Sequence, residues 1–428
     1  MSSNSTEKNI YKDKTHESKI LARPFTIDNH HLVSCRDGRY DPSCCSASPQ
    51  AGSGPTDPQE VKGFIDPLMN GLMADYHIPG GAIVIVKDGQ LLFAKGYGYA
   101  DVERQIPATS DGSLFRVGSI SKVFTWTAVM QLAEQGKLDL NANVNSYLSH
   151  FQIPATFPEP ITLAHLMTHT AGFEEQMGNG AVYTTQENYL PLEDFLADKM
   201  PARIFPPGQV VAYSNYGTAL AGGIVAEVSG EPFEEYVQNH ILGPLAMEHS
   251  SFLQPLPAEL AQDAAVGYGV DDAGIPHAQT FEYLNVRPAG ALSATASDMA
   301  HFMIAHLQDG LYGENHILQA ASAQDMRRQH YVFNESLPGM TRGFAEDYHN
   351  GIHFVLHSGT TNLSSSLLAL LPDQNLGVFV TFNSWAPTPK RINLLHELLD
   401  HYYPASPPQQ SNHQPISASM PPTLQAFI

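Results

Sequence analysis

The sequence is short of cysteine, of positive charge and of long apolar runs, and each shortage removes a class of protein. It has three cysteines, Cys35, Cys44 and Cys45, and none beyond residue 45. No disulfide can therefore staple the main body of the chain. The vicinal Cys44-Cys45 pair reads as accidental thiols in a polar leader rather than a redox or metal feature. Lys and Arg total 22 against 43 Asp and Glu, a formal charge of −21 at pH 7. A surface that acidic repels phosphate backbones and anionic lipid heads, so no nucleic-acid partner is expected. No apolar run reaches the roughly 18 residues of a membrane span, so none is expected. The opening MSSNSTEKNIYKDKTHESKI has no continuous apolar core, so no standard signal peptide is expected and the compartment stays unassigned. No G-x-G-x-x-G opens a helix and no H-E-x-x-H occurs, so neither a dinucleotide site nor a metalloprotease-type zinc site is expected.

What is present is a chain of 428 residues, 43% hydrophobic and 15% charged, enough to bury a sizeable core. Residues 1–56 are polar and end in SASPQAGSGPTDP, a leader and linker composition. Residues 404–428 are rich in Pro, Gln and Ser and read as a loose tail. The folded body is expected over 57–403.

That body opens with an apolar-periodic stretch, Val61 to Tyr76, expected to be helical but interrupted at Pro67. Two β-rich runs, Ala82–Val86 and Leu91–Lys95, flank Asp88-Gly89, a strong hairpin signal. Three more strand-like runs, Ile352–Leu356, Ser364–Leu371 and Val378–Phe382, lie near the other end, with turns expected at Ser358-Gly359 and Pro372-Asp373; a helical stretch, Arg391–Tyr402, follows. The section between is mainly helical, most clearly at Ile120–Gln135, Gly217–Val228, Phe233–Ile241 and Ser297–Gln308. The expected fold is α/β of the α+β kind. Both chain ends build one antiparallel sheet with flanking helices, and a mainly helical lobe is inserted between them. A small-molecule site is expected in the crevice between sheet and lobe.

Three short patterns could carry chemistry. Ser119-Ile120-Ser121-Lys122 is an S-x-x-K, a pattern that Ser5-Thr6-Glu7-Lys8 also matches in the leader. The second copy opens VFTWTAVMQLAEQ, apolar almost all round and so a buried helix. Spacing i, i+3 puts Ser119 and Lys122 on one face. Desolvation lowers a lysine pKa and makes an amine that can take a serine proton. The bland alternative is a capping serine beside a snorkelling lysine. Tyr213-Ser214-Asn215 is a Y-x-N between a Pro/Gly loop and a small-residue helix; Tyr283-Leu284-Asn285 and Tyr348-His349-Asn350 fit the same pattern. A loop-to-helix junction presents a phenol and an amide well, and ordinary turn chemistry is the alternative. His357-Ser358-Gly359 ends the run IHFVL, where a glycine lets a substrate approach the strand edge and the Thr360 N–H can serve as an oxyanion donor. His349, His353 and His357 recur every four residues but in a strand-like stretch, so no metal is expected. His169 reads as shaping a loop beside the site.

Taken in order, S-x-x-K, Y-x-N and H-S-G resemble the serine β-lactamase and penicillin-binding-protein family, nearest its class C-like branch. The segments FRVGSISKVFT, ITLAHLMTHTAGF, FPPGQVVAYSNYG and HSGTTNLSSSLLALLPDQNLGVFV read like family segments in family order, over about 60–402. The resemblance implies roles. Ser119 would be the acylated nucleophile, with Lys122 and Tyr213 handling the proton. Asn215, His357, Ser358, Gly359 and Thr360 would bind substrate, and the N–H groups of Ser119 and Thr360 would form the oxyanion hole. It implies no cofactor and no metal, a small ester, amide or peptide as the partner, and leaves an extracytoplasmic location open. His357 stands where many members have lysine. A histidine, with an ordinary pKa of about 6.5, weakens the case for strong β-lactamase or DD-peptidase activity. It favours an esterase or D-amino-acid peptidase whose preference for carboxylated substrates rises as pH falls from about 8 to 6. An acyltransferase with the same site, and a non-catalytic penicillin- or cell-wall-binding sensor, are the alternatives.

Overall fold

The computed structural model describes residues 54–175, 183–332, 334 and 337–405. The three cysteines, and all but the edges of the expected leader and tail, lie outside those residues. The chain begins with α1 (Pro58–Asp75), capped by the Asp57 carboxylate, which accepts from the Gln59 N–H. The expected break at Pro67 does not occur: the helix runs through it. Val61, Ile65, Met69 and Met73 recur every four residues and are buried, and packing of that stripe offsets the hydrogen bond that proline removes.

Strands β1 (Gly80–Lys87) and β2 (Gln90–Asp101) form the expected hairpin. Asp88 and Gly89 both have positive φ, 52° and 76°, as the two-residue turn of a right-twisted hairpin requires. A short β3 (Ile106–Pro107) adds to the edge. After the helical section come β4 (Ala345–His349), β5 (Ile352–Thr360), β6 (Ser365–Leu371) and β7 (Leu376–Phe382). The seven strands pair antiparallel in the order β4-β5-β6-β7-β1-β2-β3. The first long strand thus lies beside the last, with Gly81 opposite Phe382 and Lys87 opposite Leu376. Both chain ends build one sheet, as expected from the sequence.

Strand β1 is apolar up to its last residue, Lys87, and the apolar part is buried on both faces. Its alternation still sorts the side chains. Ile83 and Ile85 join a core with α1 and the C-terminal helix, whereas Ala82, Val84 and Val86 join the core that continues into the helical lobe. That lobe is built around α2 (Ser121–Glu134), buried along its first twelve residues, with α3 (Asn215–Ser229) beside it. Helix α4 (Ala296–Leu307) packs on β1 and β7, and α5 (Thr388–Tyr402) closes the chain. Among the described residues no helix is long and apolar enough to cross a membrane.

Two local expectations need correction. Ser358-Gly359 is not a turn: β5 continues through both to Thr360, and the chain reverses over 361–364. The α-helix after the S-x-x-K starts at Ser121, and Ser119 sits on a preceding 3-10 turn, Gly118–Ile120.

Candidate active site

A cavity of about 620 Å3 lies between β5 and the helical lobe, and Ser119, Tyr213, Asn215, His357, Ser358 and Thr360 all line it. Three patterns separated by more than ninety residues each thus converge on one wall. The matches elsewhere do not. Tyr283 lies on a short strand against Thr184, and Tyr348 is an exposed residue of β4. Ser5–Lys8 lies outside the described residues.

Lys122 is fully buried, and its Nζ lies within hydrogen-bonding distance of three oxygens: Ser119 Oγ at 3.0 Å, Asn215 Oδ1 at 2.6 Å and the Ala289 carbonyl at 2.7 Å. Burial pushes the amine down to about 7, and the Glu175 carboxylate acts in the opposite sense. The Tyr213 ring lies over the nitrogen, its centroid 4.9 Å away. Ser119 caps no helix; capping at α3 falls instead to Ser214, whose hydroxyl accepts from the Gly217 N–H. The reading of Ser119 as a capping serine is therefore removed. Asn215 begins α3, at the loop-to-helix junction expected for it.

Glycines let the strand edge close on the serine turn. A Cβ on Gly359 would lie 1.9 Å from the Val117 carbonyl oxygen, and one on Gly118, with φ +56°, 2.6 Å from the Thr360 nitrogen. The backbones that carry the Ser119 and Thr360 N–H groups are in direct contact there, so two donors can face one oxygen. Behind β5, the buried Arg391 donates to the carbonyls of Gly359 and Ser366 and to the hydroxyls of Thr360 and Thr388. Burial pushes its guanidinium down to about 10, so it stays charged at neutral pH. The Ser358 hydroxyl, buried and on the cavity wall, has no hydrogen-bond partner among the described residues.

His357 departs from expectation. Burial, and then the charge of Lys122, push its imidazole down to about 3. Its Nδ1 donates to the Ser358 carbonyl at 2.8 Å, which leaves Nε2 as an acceptor on a neutral ring. Burial and the Lys122 charge both favour the neutral ring over the cation. His349 and His353 turn away to Asp400 and Glu346, so the three-histidine spacing gathers nothing around a metal.

Two residues of the segment THTAGFEE complete the site: His169, expected to shape a loop there, and Glu175, which no motif marks. His169, buried and with φ +56°, accepts from the Ala212 N–H through its carbonyl and from the Ser214 N–H through Nδ1. Its ring lies 4.5 Å from that of Tyr213, centroid to centroid, so it pins the extended run that presents the phenol. Glu175 accepts from the Asn215 backbone N–H at 2.8 Å and from Asn215 Nδ2 at 2.7 Å.

The chain is similar to known proteins in sequence and fold. The family model for Beta-lactamase matches residues 65–402. Protein flp of Staphylococcus aureus is 28% identical over 327 residues, 74% of this chain and 62% of that protein. The putative penicillin-binding protein PbpX of Bacillus subtilis is 34% identical over 238 residues, 55% of this chain and 56% of that protein. The chain thus spans about three fifths of the length of these relatives. The octameric penicillin-binding protein homologue from Pyrococcus abyssi superimposes with a TM-score of 0.67 at 28% identity, over 80% of this chain and 79% of that one. A class C beta-lactamase mutant shares the fold, with a TM-score of 0.69 at 20% identity over 81% of this chain and 98% of that one. The chain belongs to the Beta-lactamase family, whose common chemistry is acyl transfer through a serine.

Proposed function

We propose that the protein is a serine acyl hydrolase for small esters or amides, with Ser119 as nucleophile and Lys122 as its base. The observation that carries this reading is the set of partners around Lys122 Nζ. A neutral amine has two N–H bonds and one lone pair. The Asn215 Oδ1 and the Ala289 carbonyl can only accept, so they take the two N–H bonds. The lone pair is left for the third neighbour, the Ser119 hydroxyl at 3.0 Å. With its pKa lowered to about 7, the lysine is substantially in that form at neutral pH.

In the first step Ser119 Oγ bonds to the acyl carbon as its proton passes to Lys122. The oxyanion is met by the Ser119 and Thr360 N–H groups. The carbon–leaving-group bond then breaks, and the leaving oxygen or nitrogen takes the proton, with Tyr213 assisting Lys122 in the transfer. Water repeats the sequence in reverse and frees the acid. Asn215 and the strand His357–Thr360 bind the acyl donor. A neutral His357 supplies no charge for a carboxylate, which favours neutral esters or amides and D-amino-acid peptide-like amides, with β-lactam turnover weak.

The test is a stopped-flow burst with a nitrophenyl ester, repeated with an added amine. The expected result is a burst of one equivalent per chain followed by release of the free acid. No burst and no turnover by the folded protein would overturn the reading; transfer of the acyl group to the amine in preference to water would make it an acyltransferase.

A further inference from the structure

The lone pair of Lys122 faces Ser119 only while the Asn215 side chain presents its oxygen to the lysine. If the amide turned over, Nδ2 would face Lys122, donate into the lone pair and silence the base. An asparagine amide has little steric preference between the two orientations, so something must choose. The choice is made on the opposite side of Asn215, where the Glu175 carboxylate accepts from the backbone N–H at 2.8 Å and from Nδ2 at 2.7 Å. A carboxylate cannot donate. The turned-over amide would set its oxygen against that carboxylate and its NH2 against the lysine, two unfavourable contacts in a partly buried setting.

We propose that Glu175 is a positioning residue: it locks the Asn215 amide with its oxygen toward Lys122 and so aims the lysine at Ser119. The inference rests on the hydrolase reading above and adds a residue to it. Glu175 touches neither Ser119 nor, in this assignment, the reacting carbonyl; it acts through Asn215. The groups that face Lys122 and its neighbourhood are Glu175, His169, His357 and Tyr213. Of these, Glu175 supplies the negative charge that favours the protonated lysine, while the two imidazoles are held neutral. Removing the carboxylate therefore has two consequences of different kind. The amide loses its lock, and the lysine becomes easier to deprotonate.

The experiment uses the full chain with Glu175→Gln and Glu175→Asp. Glutamine has the same shape but offers one acceptor and one donor to two N–H groups; aspartate keeps both acceptors on a shorter arm. The readouts are the rate of labelling by a fluorophosphonate across pH 5–9 and an NMR titration of lysine labelled at Cε, with the Lys122 signal assigned by its loss in Lys122→Met. Glu175→Gln is expected to label about tenfold to a hundredfold more slowly at its plateau. Its acid limb and the Lys122 titration midpoint should both move to lower pH, and Glu175→Asp should recover part of the rate. A plateau loss with the limb and the midpoint unmoved would mean that Glu175 only steadies the loop, and would overturn the proposal, as would wild-type behaviour of Glu175→Gln. Should the wild type itself fail to label, the hydrolase reading falls, and the NMR midpoint alone then decides for or against Glu175.

Discussion

Gly359 and Val117 meet backbone to backbone, so closely that a Cβ on the glycine would lie 1.9 Å from the Val117 carbonyl oxygen. The contact joins the strand β5 to the turn that carries Ser119, and neither side is a flexible side chain that could swing away. Gly359→Ala must push the strand off the serine turn. The expected outcome is a stability loss of about 1–3 kcal/mol, typical of overpacking, with a far larger loss of acylation rate, since the Thr360 N–H moves with the strand. Denaturant unfolding beside burst kinetics checks this. A variant that folds and acylates normally would show that the two N–H groups do not act together.

Lys122 and Tyr213 are expected to act as a unit, because the phenol ring covers the lysine nitrogen. Lys122→Met and Tyr213→Phe should each lower kcat/KM by about 10²–10⁴-fold, and the double variant should be little worse than the poorer single. Losses that multiply would assign one of the two a structural part only. Tyr283→Phe and Tyr348→Phe should leave kcat/KM near wild type.

The fold was largely legible because its signals are local and strong. A strand buried on both faces has to be an unbroken apolar run, as GGAIVIV is, and the Asp88-Gly89 turn has few alternatives. The buried helix after Ser119 was equally plain. What misled was punctuation. Pro67 suggested a break and Gly359 a turn, but packing of α1 carried the helix through the first, and the second is glycine because another backbone lies against it. Strand β4, AEDYH, carries no sequence signal because an edge strand with polar residues on both faces has little hydrophobic pattern. In the site, the residues with a motif were readable. His169 does shape the loop beside the site, as its sequence setting suggested; Glu175 and Arg391 were not readable, since what they do depends on chain segments that only the fold brings beside them.

The neutral His357 gives a prediction opposite to the one its type suggests. Because the ring is held down to about 3, the ratio of kcat/KM for a carboxylated ester to that for its neutral analogue should stay constant from pH 8 to 5; ionisation of Lys122 affects both and cancels. His357→Lys should raise that ratio by about tenfold, roughly one charge-assisted hydrogen bond. A wild-type ratio that climbs as pH falls would show that the imidazole takes a proton in that range.

Buried neutral histidines also set the acid stability. His169 and His306 are 4% and 0% exposed, and burial holds both below their ordinary value, His306 at about 3. Their folded pKa lies below the unfolded one, so stability is full above about pH 6.5 and falls as the unfolded chain binds protons that the fold refuses. Between pH 7.5 and 5.5 each should remove on the order of 1 kcal/mol. Urea unfolding at both pH values checks it. An unfolding free energy that does not change over that range would contradict the burial of neutral imidazoles.

The identity of the nucleophile is the centre of the mechanism, and intact-mass analysis after a fluorophosphonate, followed by peptide mapping, reads it directly. The expected result is one adduct per chain, mapped to Ser119, absent from Ser119→Ala at an unchanged thermal midpoint and retained in Ser5→Ala. An adduct on any other residue, or full labelling and turnover by a folded Ser119→Ala, would contradict the assignment.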